Sequence, residues 1–261
     1  MSLVLYSGGC DSTLVLHDLL KENTRTNSNN VTALAINHQQ VPAITQNKSA
    51  RHSFIEEMKK RELDQGFHYQ EVNIDGSACV YDSGDLGLTQ PIIWSMIAML
   101  YIQNNDTIYF GYHSGDDFWL HKNEFEDAIK SICKINNKTI KIEYPLRHDY
   151  KCDIIKKLKS RGLYDFCWYC EYPQPAKSGA VMKYDPCGNC VPCRTHRTAL
   201  WQIEAFGDKY PTSGGSANYD LPLSLPAVAK AIKDTGIIKD ESVESCSIDT
   251  ISCKGVELKG S

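Results

Sequence analysis

The sequence predicts an α/β fold: a Rossmann-like, doubly wound, mainly parallel five-stranded sheet with a small, cysteine-rich helical region near the C-terminus. Three observations predict it. Apolar, β-branched-rich segments alternate with helical patterns over the first 165 of 261 residues, as parallel strands joined by helical crossovers do. The first apolar run passes straight into a glycine turn and a helix start. Five of the eleven cysteines fall between residues 167 and 193.

The elements follow in order. Leu3-Val4-Leu5-Tyr6 gives a first buried strand at 2–6, and Leu14, Val15, Leu16, Leu19 and Leu20 give a helical pattern over 11–22. A polar surface loop, 23–30, leads to a second strand, Val31-Thr32-Ala33-Leu34-Ala35-Ile36-Asn37. Further strands are expected at 68–74, 107–111 and 140–145, with helices at 46–64, 90–103, 121–136 and 150–161 between and after them. Right-handed crossovers place the strand C-termini along one edge, where open α/β sheets bind ligands. The opening loop, Asn37-His38-Gln39-Gln40 and Gly111-Tyr112-His113 all follow strands and are expected to meet there. Residues 75–89, with Gly76, Gly84 and Gly87, form a second loop, read as a lid or a solvent loop. A helical run from Thr198 to Phe206 stops at Gly207. The segment 211–218 reads as a linker, and one helix is expected at 224–235. Three regions result: an α/β domain over 1–165, a metal-binding cysteine region with its helix over 166–207, and a C-terminal extension over 208–261.

Hydrophobic and charged contents of 42% and 23% are those of a globular protein, and a net charge of −4 argues against broad, charge-driven nucleic-acid binding. A small-molecule substrate fits this balance better. Met1 adjoins the first strand, which leaves no room for a cleaved leader. The longest apolar run, Pro91–Ile102, is too short to span a bilayer. The expectation is a soluble, cytoplasmic protein with no membrane partner.

The segment Ser7-Gly8-Gly9-Cys10-Asp11-Ser12-Thr13 joins the first strand to the first helix. Unpaired N–H groups and the positive end of the helix dipole make an anion site there. Gly8 and Gly9 permit close approach and positive φ. Ser7, Ser12 and Thr13 add hydroxyl donors, and Asp11 can hold Mg²⁺ or cap the helix. No lysine follows the glycines, which excludes the GxxxxGK[ST] loop. The segment resembles the SGGxDS pyrophosphate loop of ATP pyrophosphatases, which adenylate a substrate and release pyrophosphate.

Cys187, Cys190 and Cys193 stand at i, i+3 and i+6, a spacing that aims three thiolates at one tetrahedral ion. Spacing alone permits Cys167/Cys170 with Cys187/Cys190, or Cys170 with Cys187, Cys190 and Cys193. A structural Zn²⁺ is the expected occupant, with an iron–sulfur cluster as the alternative. The other six cysteines are scattered and read as free thiols.

The N-terminal loop, together with Cys187-Gly188-Asn189-Cys190-Val191-Pro192-Cys193 followed by Arg197 and Ala199, resembles the 7-cyano-7-deazaguanine synthase family over roughly residues 1–207. Asn123-Glu124-Phe125 and Tyr144-Pro145-Leu146 with Asp149 and Lys151 are further matches. The resemblance implies conversion of 7-carboxy-7-deazaguanine and ammonia to the nitrile through adenylated acid and amide, with ATP, Mg²⁺ and Zn²⁺. It implies catalytic roles for Ser7, Asp11, Ser12 and Lys151, although Lys151 also reads as a solvated lysine at a helix start. Ser7, Gly8, Gly9, Asp11, Ser12 and Thr13 are implied on the pyrophosphate, and Leu34, Ala35, Ile36 and Asn37 on the adenine. It selects Cys170, Cys187, Cys190 and Cys193 for the metal and leaves Cys167 over. Tyr112, Phe118, Trp119 and Trp168 offer stacking faces for a planar base. A homodimer is expected.

The chain departs from the family pattern at Gln90-Pro91, at Leu120-His121-Lys122 and at Asn37-His38-Gln39-Gln40, all near the expected substrate pocket. Alternative readings are a protein amine as acceptor, a product stopped at the amide, a tRNA-thiolating relative, and an inactive nucleotide-binding subunit. His121 reads as a pocket residue or as a helix-start residue, with the latter favoured.

Overall fold

A computed structural model of the chain describes residues 1–28, 30–38, 42–74, 89–176 and 184–207. Five strands form one parallel sheet: β1 (Ser2–Leu5), β2 (Val31–His38), β3 (Phe67–Ile74), β4 (Thr107–Tyr109) and β5 (Lys141–Glu143), in the order β3-β2-β1-β4-β5. The chain winds outward through β2 to β3, then lays β4 on the other side of β1. The strand C-termini beside β1 therefore open into a crevice at the point where the winding reverses.

Period-two alternation in β1 builds a core on each face of this sheet. Val4 and Tyr6 pack on one side with Leu14, Leu20, Phe54, Met58, Ile154 and Leu158. These come from α1 (Cys10–Thr26), α2 (Ile44–Lys60) and α5 (Lys151–Ser160). Leu3 and Leu5 point the other way, to Met99, Ile108, Phe118, Phe125 and Ile129. That face is covered by α3 (Thr89–Ala98) and α4 (Lys122–Ile135), whose buried Phe125, Ile129 and Cys133 repeat at one-turn spacing. A last helix, α6 (Val191–Phe206), packs Ala199 against Cys152 and Ile155 of α5. A two-stranded antiparallel ribbon, β6 (Gln174–Pro175) with β7 (Tyr184–Asp185), lies between the two helices in sequence. Among the described residues no helix is long and apolar enough to cross a membrane.

Several boundaries move from their sequence-based positions. The first helix continues to Thr26, into the segment expected as a surface loop, and Asn23 is buried there. Its amide donates to the Gln65 carbonyl (2.7 Å) and its Oδ1 accepts from Ser28 and the Asn30 N–H. Asn27 then ends the helix in the left-handed region. The second helix stops at Lys60, short of 64, because Glu62 turns to φ 56° and Leu63 N–H closes back on the Met58 carbonyl. The third ends at Ala98, short of 103. The last begins at Val191, before Thr198, with Pro192 in its first turn, where a missing N–H is harmless. The expectations for Gln39, Gln40, the loop 75–88, the linker 211–218, the helix 224–235 and the extension 208–261 lie outside the described residues.

Candidate functional site

After Tyr6, whose N–H donates to the Leu34 carbonyl (2.8 Å), the chain leaves the sheet and folds a cradle. Gly8 sits at φ 90°, and a Cβ there would stand 3.0 Å from Arg51 Cγ and 3.1 Å from the Asn47 carbonyl. The helix proper starts at Cys10, with Gly9 extended before it. The Ser7 and Ser12 hydroxyls are 3.0 Å apart, Gly9 N–H donates to Ser7 Oγ (3.2 Å), and Ser12 Oγ donates to the Gly9 carbonyl (3.3 Å). Thr13 N–H is the first to bond within the helix, to the Gly9 carbonyl (3.0 Å). The N–H groups of Cys10, Asp11 and Ser12 precede this first intrahelical bond, and unpaired N–H groups at a helix start suit an anion. From the far side Gly111, just past β4, presses so close that a Cβ would lie 3.0 Å from Ser12 N.

Two flanks hold this loop. On the α2–β3 side Arg51, 2% exposed, donates to the Ser7 carbonyl (3.0 Å), Asn37 Oδ1 (2.6 Å), Tyr69 OH (2.9 Å) and Glu71 Oε1 (3.3 Å). Tyr69 OH donates to Glu71, and the Asn37 amide donates to Glu71 and Asn73. Burial opposes ionisation of Glu71, but the Tyr69 hydrogen bond and the Arg51 charge hold its carboxyl below the usual range. On the other side Trp168 N–H donates to the Gly8 carbonyl (2.9 Å). The Cys167 thiol donates to the Leu163 carbonyl (3.6 Å) and packs against the core group that includes Cys10. The neighbouring Cys167 thiol lowers the Cys10 thiol pKa against the effect of burial, with help from His196 and Lys151. His196 shares a 2.6 Å hydrogen bond with Tyr164 OH and stacks on Tyr169 at 3.7 Å.

Lys151 is not a solvated lysine. Its ammonium sits over the loop and holds both Asp11 oxygens, at 2.8 and 2.6 Å. Burial would lower its pKa, but Asp11 and Cys10 raise it. Asp11 is thus engaged by an ammonium and caps nothing; a cation at Asp11 would share it with Lys151. A second carboxylate, Asp116, lines the crevice and accepts from His113 N–H (2.6 Å). Burial pushes its carboxyl up against the pull of His113.

Two cavities flank the loop. One, of about 200 Å³, is lined by Ser7, Asp11, Ser12, Leu34, Ile36, Trp94, Gly111, Tyr112 and Asp116. The other, of about 280 Å³, is lined by Ser7, Gly9, Cys10, Asp11, Asn37, Asn47, Gln90, Lys151, Trp168, Cys170 and Glu171, among others. The structure brings Ser7, Gly8, Gly9, Asp11, Ser12, Ile36, Asn37 and Lys151 together. It does not bring Thr13 to the surface of the cradle: its side chain is fully buried between Tyr6 and Cys167. Leu34 lines the first cavity, whereas Ala35 is buried and lines neither. Of the four aromatics, Tyr112 faces the first cavity and Trp168 the second. Phe118 stacks under Tyr112 at 4.0 Å, and Trp119 packs edge-on against Phe118 and Tyr144. His121 is the N-cap residue of α4, as its helix-start reading expects.

The sequence reading missed Arg51, Trp94 and Asp116. Arg51 and Asp116 carry no local motif. Tyr69, Glu71 and Asn73, however, alternate along one face of β3, a polar period-two stripe at a strand end that signals a site.

The sulfurs of Cys170, Cys187, Cys190 and Cys193 lie within 4.8 Å of one another, and Cys187 and Cys193 are 4.0 Å apart. Gly188 at φ 77° turns the chain so that Cys190 N–H donates to Cys187 Sγ (3.4 Å), while Cys187 N–H donates to Cys170 Sγ (3.1 Å). Cys167 stands outside this group, against Cys10. The four-thiol donor set is that of a closed metal site.

No family model matches the sequence, and no curated protein matches it. A search of solved structures finds similarity to the U34-tRNA thiolase NcsA from Methanococcus maripaludis with its [4Fe-4S] cluster, at 15% identity and a TM-score of 0.47, covering 97% of this chain and 78% of that one.

Proposed function

We propose that this chain is an ATP pyrophosphatase-type enzyme that adenylates 7-carboxy-7-deazaguanine and, with ammonia, carries it to 7-cyano-7-deazaguanine. The observation that carries the reading is the Ser7–Ser12 cradle at the start of α1, with Lys151 above it and a cavity on each side. The substrate carboxylate oxygen attacks the α-phosphorus of ATP, forming the acyl adenylate and expelling pyrophosphate. Ammonia then displaces AMP to give the amide. A second ATP adenylates the amide oxygen, and loss of AMP with two protons leaves the nitrile.

The residues suit this division of labour. Pyrophosphate leaves most easily where N–H dipoles, Ser7, Ser12 and the Lys151 ammonium already face it, since preorganised donors stabilise developing charge. The first cavity suits adenosine, with Leu34 and Ile36 beside the ring and Tyr112 as an aromatic wall. The second suits the acceptor: Lys151 toward its carboxylate, Trp168 along a planar base, Gln90 and Glu171 toward its polar edges. Holding both reactants in adjoining cavities supplies the alignment that an in-line displacement needs. Asp11 and Asp116 are the carboxylates available to Mg²⁺.

Cys170, Cys187, Cys190 and Cys193 would hold Zn²⁺. Four thiolates at ~2.3 Å from one tetrahedral ion stand roughly 3.8 Å apart, close to the 4.0 Å between Cys187 and Cys193. A cluster that gives each sulfur its own iron needs a wider spread. This chemistry supplies a fixed cross-link and no open coordination position.

Incubation with the acid, ATP and ammonium, followed by mass spectrometry and pyrophosphate assay, tests the reading. The nitrile with two AMP per turnover supports it. Unchanged acid in the presence of bound ATP overturns it, an amide end-product or a deazaguanine–protein conjugate replaces its last steps, and turnover only with tRNA and a sulfur donor points to thiolation.

A further inference from the structure

We infer that the four-cysteine centre governs the pyrophosphate loop, so that metal occupancy sets the affinity for the phosphate chain of ATP while leaving adenosine binding unchanged. The inference rests on the nucleotide-site reading above. It starts from the five residues Cys167–Glu171, which touch the loop at one end and the metal ligands at the other.

At the loop end, Trp168 N–H donates to the Gly8 carbonyl at 2.9 Å, and Cys167 meets Cys10, the first residue of α1. A Cβ on Gly9 would stand 3.7 Å from the Trp168 carbonyl, so the two backbones are packed together. At the metal end, Cys170 is one of the four sulfurs, 2% exposed, and the Cys187 N–H donates to it. The Trp168 indole N–H donates to the Cys170 carbonyl at 2.7 Å, which ties the two ends into one turn. Tyr169 stacks on His196, one helical turn past the ligand Cys193. The Trp168 and Tyr169 contacts on this flank thus run back to the cysteine group, while the Lys151 ammonium holds Asp11 independently of it.

Without an ion, four thiols at this spacing have little to hold them together, and the 187–193 turn is free to separate from Cys170. The Trp168 turn then loses its anchor. Gly8 needs its positive φ and Gly9 its extended conformation to keep the N–H groups convergent, and both are held in part by that turn. The first cavity has no lining residue from 167–171, whereas the second has Trp168, Tyr169, Cys170 and Glu171. Metal loss therefore strikes the phosphate cradle and the second cavity and spares the first. Trp168 is a positioning residue in this scheme.

The test uses the full chain, loaded with Zn²⁺ or stripped by a chelator, with far-ultraviolet circular dichroism to check that the sheet persists. Binding of ATP and of adenosine is measured by calorimetry in both forms. The expected result is adenosine affinity unchanged and ATP affinity at least tenfold weaker without metal. Linkage requires the converse: saturating ATP raises Zn²⁺ affinity by the same factor, whereas adenosine does not. Trp168→Ala in the zinc-loaded chain is expected to weaken ATP binding severalfold with zinc content intact. Equal ATP affinity in the two forms overturns the inference, as does an equal loss of adenosine and ATP. Failure of the zinc-loaded chain to bind either nucleotide overturns the nucleotide-site reading itself, and this inference with it.

Discussion

The two flanks of the Ser7–Ser12 loop are built from different chemistry. On the α2–β3 side the brace is a buried ionic network centred on one planar guanidinium, which reaches the loop, β2 and β3 through four hydrogen bonds. On the α5–α6 side it is the Lys151 ammonium on Asp11 together with a backbone turn backed by thiols, whose Trp168 N–H donates to the Gly8 carbonyl. The first brace is built from side chains that hydrogen-bond one another directly; the second leads back to four cysteines that could hold a metal ion. A loop held in both ways is open to two different perturbations, removal of a charge on one side and loss of the cysteine-backed turn on the other.

Arg51→Ala attacks the first flank and is the largest expected effect. It strands Glu71 and Asn37 and removes the donor to Ser7, and breaking such a pair costs about 3 kcal/mol or more. The melting temperature should fall by roughly 6–12 °C in a chain of this size, read by thermal denaturation, with zinc content unchanged in the folded fraction. Lys151→Met leaves the Arg51 network and the Trp168 turn in place and removes the ammonium that holds Asp11. Pyrophosphate release should slow about 100-fold or more, with the melting temperature little altered. Gly8→Ala lies where the flanks meet: positive φ and the contact with Arg51 Cγ should cost about 1–3 kcal/mol, visible as a lower denaturation midpoint and weaker ATP binding.

Acid sharpens the contrast least strongly. The Glu71 carboxyl is held below its unfolded value of about 4.3. Its contribution to stability is therefore fully present above that value and is lost as pH falls through the lower folded one. The denaturation midpoint of the native chain should drop more steeply than that of Glu71→Gln across this acid window, and an identical pH slope would remove Glu71 from the brace.

The two flanks also differ in how readable they were. Ser7–Ser12 and Cys187–Cys193 are local motifs, where the chemistry is fixed by neighbours in the chain, and the assignment of strands to the sheet rested on periodicity of the same short range. Arg51 looks like any charged residue of an amphipathic helix; what distinguishes it is burial between two strands, and tertiary packing decides that. Cys167 read as a spare ligand because spacing cannot tell a thiol turned toward Cys170 from one turned toward Cys10. The misplacement of Thr13 has a simpler origin. In a helix that opens on a loop, Ser12 and Thr13 are 100° apart, so only one of two adjacent hydroxyls can face the cradle, and the heptapeptide pattern does not say which.

The bond from Trp168 to Gly8 has a consequence for how the molecule is made. The loop leaves the ribosome about 160 residues before its second brace, roughly 8–32 s earlier at ordinary rates of synthesis. Throughout that interval β1 and α1 exist without the turn that shapes their junction. The nascent chain thus carries an open, glycine-rich loop until the cysteine segment emerges, and the junction of β1 and α1 takes its final shape only then.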